Sequence, residues 1–182
     1  MILETNRLIL RPWRETDAED LYELAKNPHV GPIAGWPVHT SIENSAYIIR
    51  EILSAEHTFA VTIRNRDNAV GSIGLMIGNR SNLDIREDEA EIGYWIGEPY
   101  WGHEYIPEAV RELIRYAFDE LGILAIWCGY FNDNDKSKRV NEKCGLRLQR
   151  TEHDRFWPLI NELKTQHITR LTREEWLDSF NK

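Results

Sequence analysis

Glu91-Ile-Gly-Tyr-Trp-Ile-Gly-Glu-Pro-Tyr-Trp-Gly-His-Glu-Tyr-Ile-Pro-Glu-Ala109 is the stretch around which the chain is organised. It opens as a strand, with Ile92, Tyr94 and Ile96 on one face and Trp95 on the other. Gly97-Glu98-Pro99 then breaks the extended run. Tyr100 to Tyr105 forms a short loop, and Pro107 and Glu108 open a helix. Proline supplies a pre-set φ there, and glutamate favours the positive end of the helix dipole. Ala109, Val110, Leu113, Ile114, Ala117, Phe118 and Leu121 recur at helical spacing until Gly122 closes the element. Strand, tight loop and helix N-terminus in that order make an anion site, because backbone N–H groups point outward and the dipole favours a phosphate.

Outward from this stretch the chain reads as one domain spanning residues 1–182. A hydrophobic content of 42% with 29% charged residues is that of an ordinary soluble globular protein. The net charge of −8 argues against non-specific nucleic-acid binding, which needs a basic surface, and fits a cationic or amine-bearing partner. No apolar run of about 18 residues and no leader pattern is visible, so no membrane partner is expected. Cys128 and Cys144 make no disulfide scaffold, so a reducing cytoplasm is the expected location. The six histidines lack ligand spacing, and no metal is expected.

Before the central stretch, Arg7–Trp13 reads as a strand. Thr16-Asp-Ala-Glu19 reads as a capping box ahead of a helix with Leu21, Leu24 and Ala25. Asn27 to Val38, rich in proline and glycine, is loop, and Thr40-Ser-Ile-Glu43 caps a second helix. His57–Arg64 and Ala69–Gly78 form a hairpin across the polar turn 65–68. Asn79 to Asp88 is an acidic loop. After the central helix, Leu124–Phe131 is a strand which, following a crossover helix, lies parallel to the central one. A short helix over Asn134–Cys144, strands at Leu146–Thr151 and His167–Leu171, and a helix capped by Thr172-Arg-Glu-Glu175 complete the chain. The predicted class is mixed α/β, with a mostly antiparallel sheet and one parallel pair, flanked by helices.

Three segments carry a family resemblance. Tyr100-Trp101-Gly102-His103-Glu104-Tyr105-Ile106-Pro107-Glu108-Ala109 resembles the acyl-CoA-binding motif of the GNAT N-acetyltransferase superfamily, in particular its Rim-type ribosomal-protein N-acetyltransferase branch. Asn134-Asp-Lys-Ser137-Lys-Arg-Val-Asn-Glu142-Lys143-Cys-Gly145-Leu146 resembles the second motif, and Arg7-Leu-Ile-Leu-Arg11 the branch's opening. Two departures stand out: Glu104 replaces a second glycine, and Pro99 lies where the general pattern has Gln or Arg. The resemblance implies a GNAT fold whose parallel strands splay apart to take the pantetheine arm of acetyl-CoA. It further implies an acetyl-CoA-dependent N-acetyltransferase acting on a primary amine, either a protein N-terminus or a small molecule, as monomer or homodimer and without a metal.

The same resemblance assigns roles. Backbone amides of Trp101, Gly102, His103, Glu104, Tyr105 and Ile106 would hold the pyrophosphate. A backbone N–H near Trp95 or Ile96 would polarise the thioester carbonyl. Ser137 would protonate the leaving sulfur, and Asn134 would anchor the pantetheine or order a water. For the base, Glu91 on the central strand stands beside Glu152, His153 and Asp154. Bland readings accompany these: Ser137 as a first-turn stabiliser, Glu91 as a structurally paired carboxylate, both cysteines as packing. Glu104 disfavours a phosphate by its charge and resists the φ > 0 that glycine permits, so either the loop keeps an ordinary φ or coenzyme binding is weakened. The alternative function is therefore a GNAT-fold acyl-CoA-binding or regulatory module with weak or no catalysis.

Overall fold

The extended runs of the sequence join into a single sheet. The structure, a computed structural model, describes residues 1–181. In chain order its strands are β1 (Leu3–Glu4), β2 (Leu8–Arg11), β3 (Thr58–Ile63), β4 (Ala69–Ile77), β5 (Glu89–Ile96), β6 (Ala125–Phe131), β7 (Arg147–Trp157) and β8 (Glu162–Thr172). They lie in the order β1-β2-β3-β4-β5-β6-β8-β7. Neighbours are antiparallel except β5 and β6, which run parallel as the crossover helix requires. The helices are α1 (Ala18–Ala25), α2 (Ile42–Ile48, continued by a π turn over Ile49–Leu53), α3 (Tyr105–Asp119), α4 (Asp135–Lys143) and α5 (Arg173–Asp178).

The period-2 alternation of β5 separates two cores. Ile92, Tyr94 and Ile96 face a large cluster with Leu8, Leu10, Val61 and Ile73, closed by Leu113, Ile114, Ala117 and Phe118 of α3. Trp95 faces the opposite side, where Trp13, Leu21, Ala25 and Ile49 pack beneath α1 and α2. That the helical stripe of α3 is buried while its other face is wet follows from the apolar spacing read above.

Several local expectations are corrected. The predicted Thr16–Glu19 capping box does not form. Asp17 instead reaches back to the Arg14 N–H at 2.8 Å, and α1 starts at Ala18. The oxygens of Asp17 are also claimed by Arg11, at 2.8 Å each, in a buried pair. Ser41, not Thr40, caps α2, accepting from the Asn44 N–H. A two-residue strand, β1, precedes the first predicted one. The largest difference is at the C-terminal hairpin, which extends past Thr151 to Trp157 and returns from Glu162. This overhang is held by cross-strand pairing and by polar contacts such as Arg155 with Glu152 and Gln166, so no apolar alternation marked it.

Arg11 and Asp17 are about 3% and 4% exposed, and the guanidinium also donates to the Asp67 carbonyl at 2.7 Å. Removing one partner strands a buried charge. Asp17→Ala is expected to lower unfolding stability by about 3–5 kcal/mol in urea denaturation; a loss under about 1 kcal/mol would show that water reaches Arg11.

Candidate active site

The parallel pairing of β5 and β6 lasts three rungs: Glu89 with Ala125, Ala90 with Ile126, and Glu91 with Trp127. Beyond Glu91 the strands part. β5 stays with β4 as far as Ile96 opposite Gly71, while β6 follows β8 as far as Phe131 opposite Gln166. A cleft of about 380 Å³ occupies the split, a volume in the range of small-molecule sites. Its walls are Ile92 to Ile96 on one side and Cys128 to Phe131 on the other, with α3 and α4 starting at its two edges.

Where the strands part, β5 turns alternate backbone groups toward β4 and toward the gap. The Gly97 N–H donates to the Val70 carbonyl on the β4 side, at 2.9 Å. Peptide direction alternates along a strand, so Trp95 also faces β4 while Tyr94 and Ile96 face the gap. Of the two residues considered for a carbonyl-polarising N–H, the geometry therefore favours Ile96. Its own carbonyl already accepts from the Trp101 indole at 2.9 Å.

The loop before α3 uses left-handed backbone twice, at Gly102 (φ 77°) and Glu104 (φ 63°). Of the two sequence alternatives for Glu104, ordinary φ is thus excluded: a glutamate occupies the glycine conformation. Three contacts hold it there. Arg7 donates to the carbonyls of His103 and Glu104, at 3.0 and 3.3 Å. The same side chain is locked by Glu108, with Nε to Oε2 at 2.6 Å. Since a planar trans peptide points its C=O and its N–H to opposite sides, binding these carbonyls turns the N–H groups of Glu104 and Tyr105 the other way. Finally, Lys143 pairs with the Glu104 carboxylate at 2.6 Å, which holds that carboxyl below its ordinary pKa. Lys136, Arg139 and Lys143 share one face of α4 along the cleft and bring positive charge to an acidic protein.

All but one of the predicted site residues line this cleft: Glu91, Trp95, Ile96, Trp101, Gly102, Glu104, Tyr105, Ile106, Asn134 and Ser137. His103 does not. It is exposed, stacks on Tyr105 and hydrogen-bonds the Trp101 carbonyl. Glu152, His153 and Asp154 also lie outside the lining, and Glu152 is engaged by Arg150 and Arg155. Glu91 is buried, and its Oε2 accepts from Ser81 Oγ and the Asn82 N–H, both at 2.8 Å. Burial raises its pKa, opposed by those two hydrogen bonds and by Arg155.

Asn134 caps α4 by accepting the Ser137 N–H at 3.1 Å, and donates to the Ile33 carbonyl at 3.3 Å, tying the Asn27–Val38 loop to the site. Ser137 is not used as a helix cap. Its Oγ lies 2.8 Å from the Tyr94 hydroxyl. Cys128 and Cys144 are free and buried, and burial pushes their thiols to about 12 and about 11. Among the described residues no group of three His, Cys, Asp or Glu is placed to hold a metal ion.

The sequence reading missed one wall of the cleft. Trp157 at the end of β7 packs edge-on against Phe131 and donates to the Gly35 carbonyl at 2.9 Å, so the hairpin overhang and the proline-rich loop close the cleft together. Gly35 has φ 89°, and a Cβ there would sit 2.6 Å from Trp157 Nε1. Asn141, buried between α4 and β8, was also missed. Its i+4 spacing from Ser137 was the available signal.

A family model for the Acetyltransferase (GNAT) domain matches residues 7–147. YoaA of Bacillus subtilis (strain 168), an uncharacterized N-acetyltransferase, is 29% identical over 153 residues, covering 81% of this chain and 84% of its own. The crystal structure of a GNAT-family acetyltransferase from Bacillus anthracis superposes with a TM-score of 0.83 at 23% identity, covering 96% of this chain and 100% of that one. The Microcin C7 self-immunity acetyltransferase MccE, solved with acetyl-CoA and AMP, gives a TM-score of 0.75 at 20% identity over 92% of this chain and 93% of its own.

Glu104→Gly relieves a left-handed glutamate and frees Lys143. It is expected to raise unfolding stability by about 1 kcal/mol. It is also expected to tighten acetyl-CoA binding on the order of fivefold by calorimetry, the small size reflecting a solvent-screened charge. Weaker binding in the variant would give Glu104 a role of its own.

Proposed function

The chain belongs to the GNAT acetyltransferase family and so transfers acetyl groups from acetyl-CoA; from that premise we propose that its cleft carries out direct transfer to a primary amine. The acceptor is either a protein N-terminus, as the Rim-type motifs suggest, or a small-molecule amine. The observation that carries the reading is the convergence of Glu91, Ser137 and the loop residues Trp101, Gly102, Glu104, Tyr105 and Ile106 on the split between β5 and β6.

The division of labour follows from position. The N–H groups turned inward by Arg7, with the α3 dipole behind them, suit a pyrophosphate. The gap-facing N–H of Ile96 suits the oxygen of a thioester carbonyl as it gains charge. A protonated amine has no lone pair to attack with, so a base is needed. Glu91 fits that task, directly or through a water, and its raised pKa makes it a better base than an ordinary carboxylate. Ser137 stands at the end of α4 that faces the gap and supplies a hydroxyl for the departing sulfur. The cysteines offer no covalent route, since thiols shifted to about 12 and about 11 stay protonated near neutrality.

Acetyl-CoA alone is expected to stabilise the fold. At about 100-fold above Kd, binding adds about 2.7 kcal/mol and raises Tm by about 5–10 °C. A thermal-shift titration together with free-thiol release, using peptide, polyamine and aminoglycoside acceptors, tests the enzyme reading. A Tm rise with no thiol release from any acceptor would favour the acyl-CoA-binding module instead.

The base has its own signature. Since burial raises the folded pKa of Glu91, its carboxylate is complete only above that raised value. The rising limb of kcat/KM should therefore lie above the ordinary carboxylate range. Glu91→Gln is expected to lower kcat/KM by about 10²-fold and to flatten that limb. An unchanged rate and pH profile would remove Glu91 from the reaction.

A further inference from the structure

The hydroxyl of Tyr94, on the same face of β5 as Ile92 and Ile96, joins a chain of hydrogen bonds that runs through Asn141 and Ser137. Asn141 Nδ2 lies 2.8 Å from the Ser137 main-chain oxygen and 2.9 Å from Tyr94 Oη. A carbonyl oxygen only accepts, so the Asn141 atom facing it must be the amide nitrogen. Asn141 Oδ1 then faces Thr169 Oγ1, which donates to it at 2.6 Å, in agreement with that orientation. The amide nitrogen has two N–H bonds to give. One goes to the Ser137 carbonyl, and the other to Tyr94 Oη.

Tyr94 Oη therefore accepts from Asn141 and keeps a single proton to donate. Ser137 Oγ is its near oxygen acceptor at 2.8 Å, ahead of the Ser137 main-chain oxygen, which lies at 3.3 Å and already receives Asn141; the Cys128 thiol, a weaker acceptor, also lies against the Tyr94 hydroxyl. Burial keeps the Tyr94 phenol protonated throughout the working pH range. A hydroxyl that accepts along this line has its own proton left for another partner. Ser137 borders the cleft, where the coenzyme sulfur is expected.

We propose that Tyr94, oriented by Asn141, is a positioning residue that turns the Ser137 proton into the cleft toward the leaving sulfur. In the transfer the amine nitrogen bonds to the acetyl carbon, and the C–S bond breaks with its electron pair on sulfur. The sulfur takes the proton of Ser137, which solvent restores, and the proton lost by the amine leaves through Glu91. Without the Tyr94 hydroxyl, Ser137 Oγ loses its fixed donor and its proton is free to point elsewhere, including back to the helix carbonyls. The inference rests on the reading of Ser137 as the proton donor.

A double-mutant cycle separates the two. Wild type, Tyr94→Phe, Ser137→Ala and the double variant are assayed for kcat and for the acetyl-CoA KM, with the best acceptor amine of the screen above. Each single change is expected to lower kcat about tenfold, the low side of proton-transfer contributions. The double variant should be no slower than Ser137→Ala, because Tyr94 acts only through Ser137. The acetyl-CoA KM should stay within about twofold, and phenylalanine keeps the ring that packs in the core, so melting temperatures report any packing loss. A double variant slowed about a hundredfold, or Tyr94→Phe alone with wild-type kcat, would overturn the positioning role while leaving Ser137 in place. Ser137→Ala with wild-type kcat would overturn the donor reading itself.

Discussion

The architecture depends on a parallel pair that is allowed only three rungs. Up to Glu91 the two strands pair with each other, and beyond it β5 pairs on with β4 and β6 with β8. Backbone groups left facing a gap between strands must find water or a ligand, since leaving them buried and unpaired is costly. The split is stable because what flanks it is rigid. α3 lies across the large apolar core behind β5, and α4 is fastened to the β6–β8 side through Asn141 and Thr169. A cleft is thus built into the sheet itself.

Around that split, strain is concentrated in one loop and restrained by distant parts of the chain. Glu104 sits in the left-handed region, where a side chain costs on the order of 1 kcal/mol relative to glycine. Arg7 from the N-terminal strand region grips the carbonyls on either side of it, Glu108 fixes Arg7, and Lys143 from α4 balances its charge. The opening Arg-Leu-Ile-Leu-Arg motif acquires a physical meaning here. Arg7 supports the loop before α3, and Arg11 closes a buried pair with Asp17 that anchors the start of α1.

The aromatic side of the cleft has a different character. Trp95, Phe131 and Trp157 form an aromatic wall beside the buried carboxylate of Glu91, and the loop over residues 31–36 is pinned to it by Trp157 and Asn134.

The sequence by itself determined the elements whose signal is local. The alternation of Ile92, Tyr94 and Ile96, the helical stripe of Ala109 to Phe118, and the glycines and prolines of the loops each report a period or a backbone preference that neighbours in the chain enforce. Motif spacing carried the family and a set of site residues that, His103 apart, all line the cleft, because strand, loop and helix N-terminus follow one another directly. What only the tertiary structure decided are pairings across distance: Arg7 on the 103–104 carbonyls, Lys143 on Glu104, Trp157 on Gly35, and Asn141 between Ser137, Tyr94 and Thr169. Capping at Asp17 and Ser41 was misread for a related reason, since several adjacent residues qualified and a buried partner, Arg11, made the choice at Asp17. The long hairpin escaped because polar cross-strand contacts have no hydrophobic period. A one-dimensional pattern records which face of an element is apolar, and the partner that a polar group meets is fixed only when the sheet brings the two together.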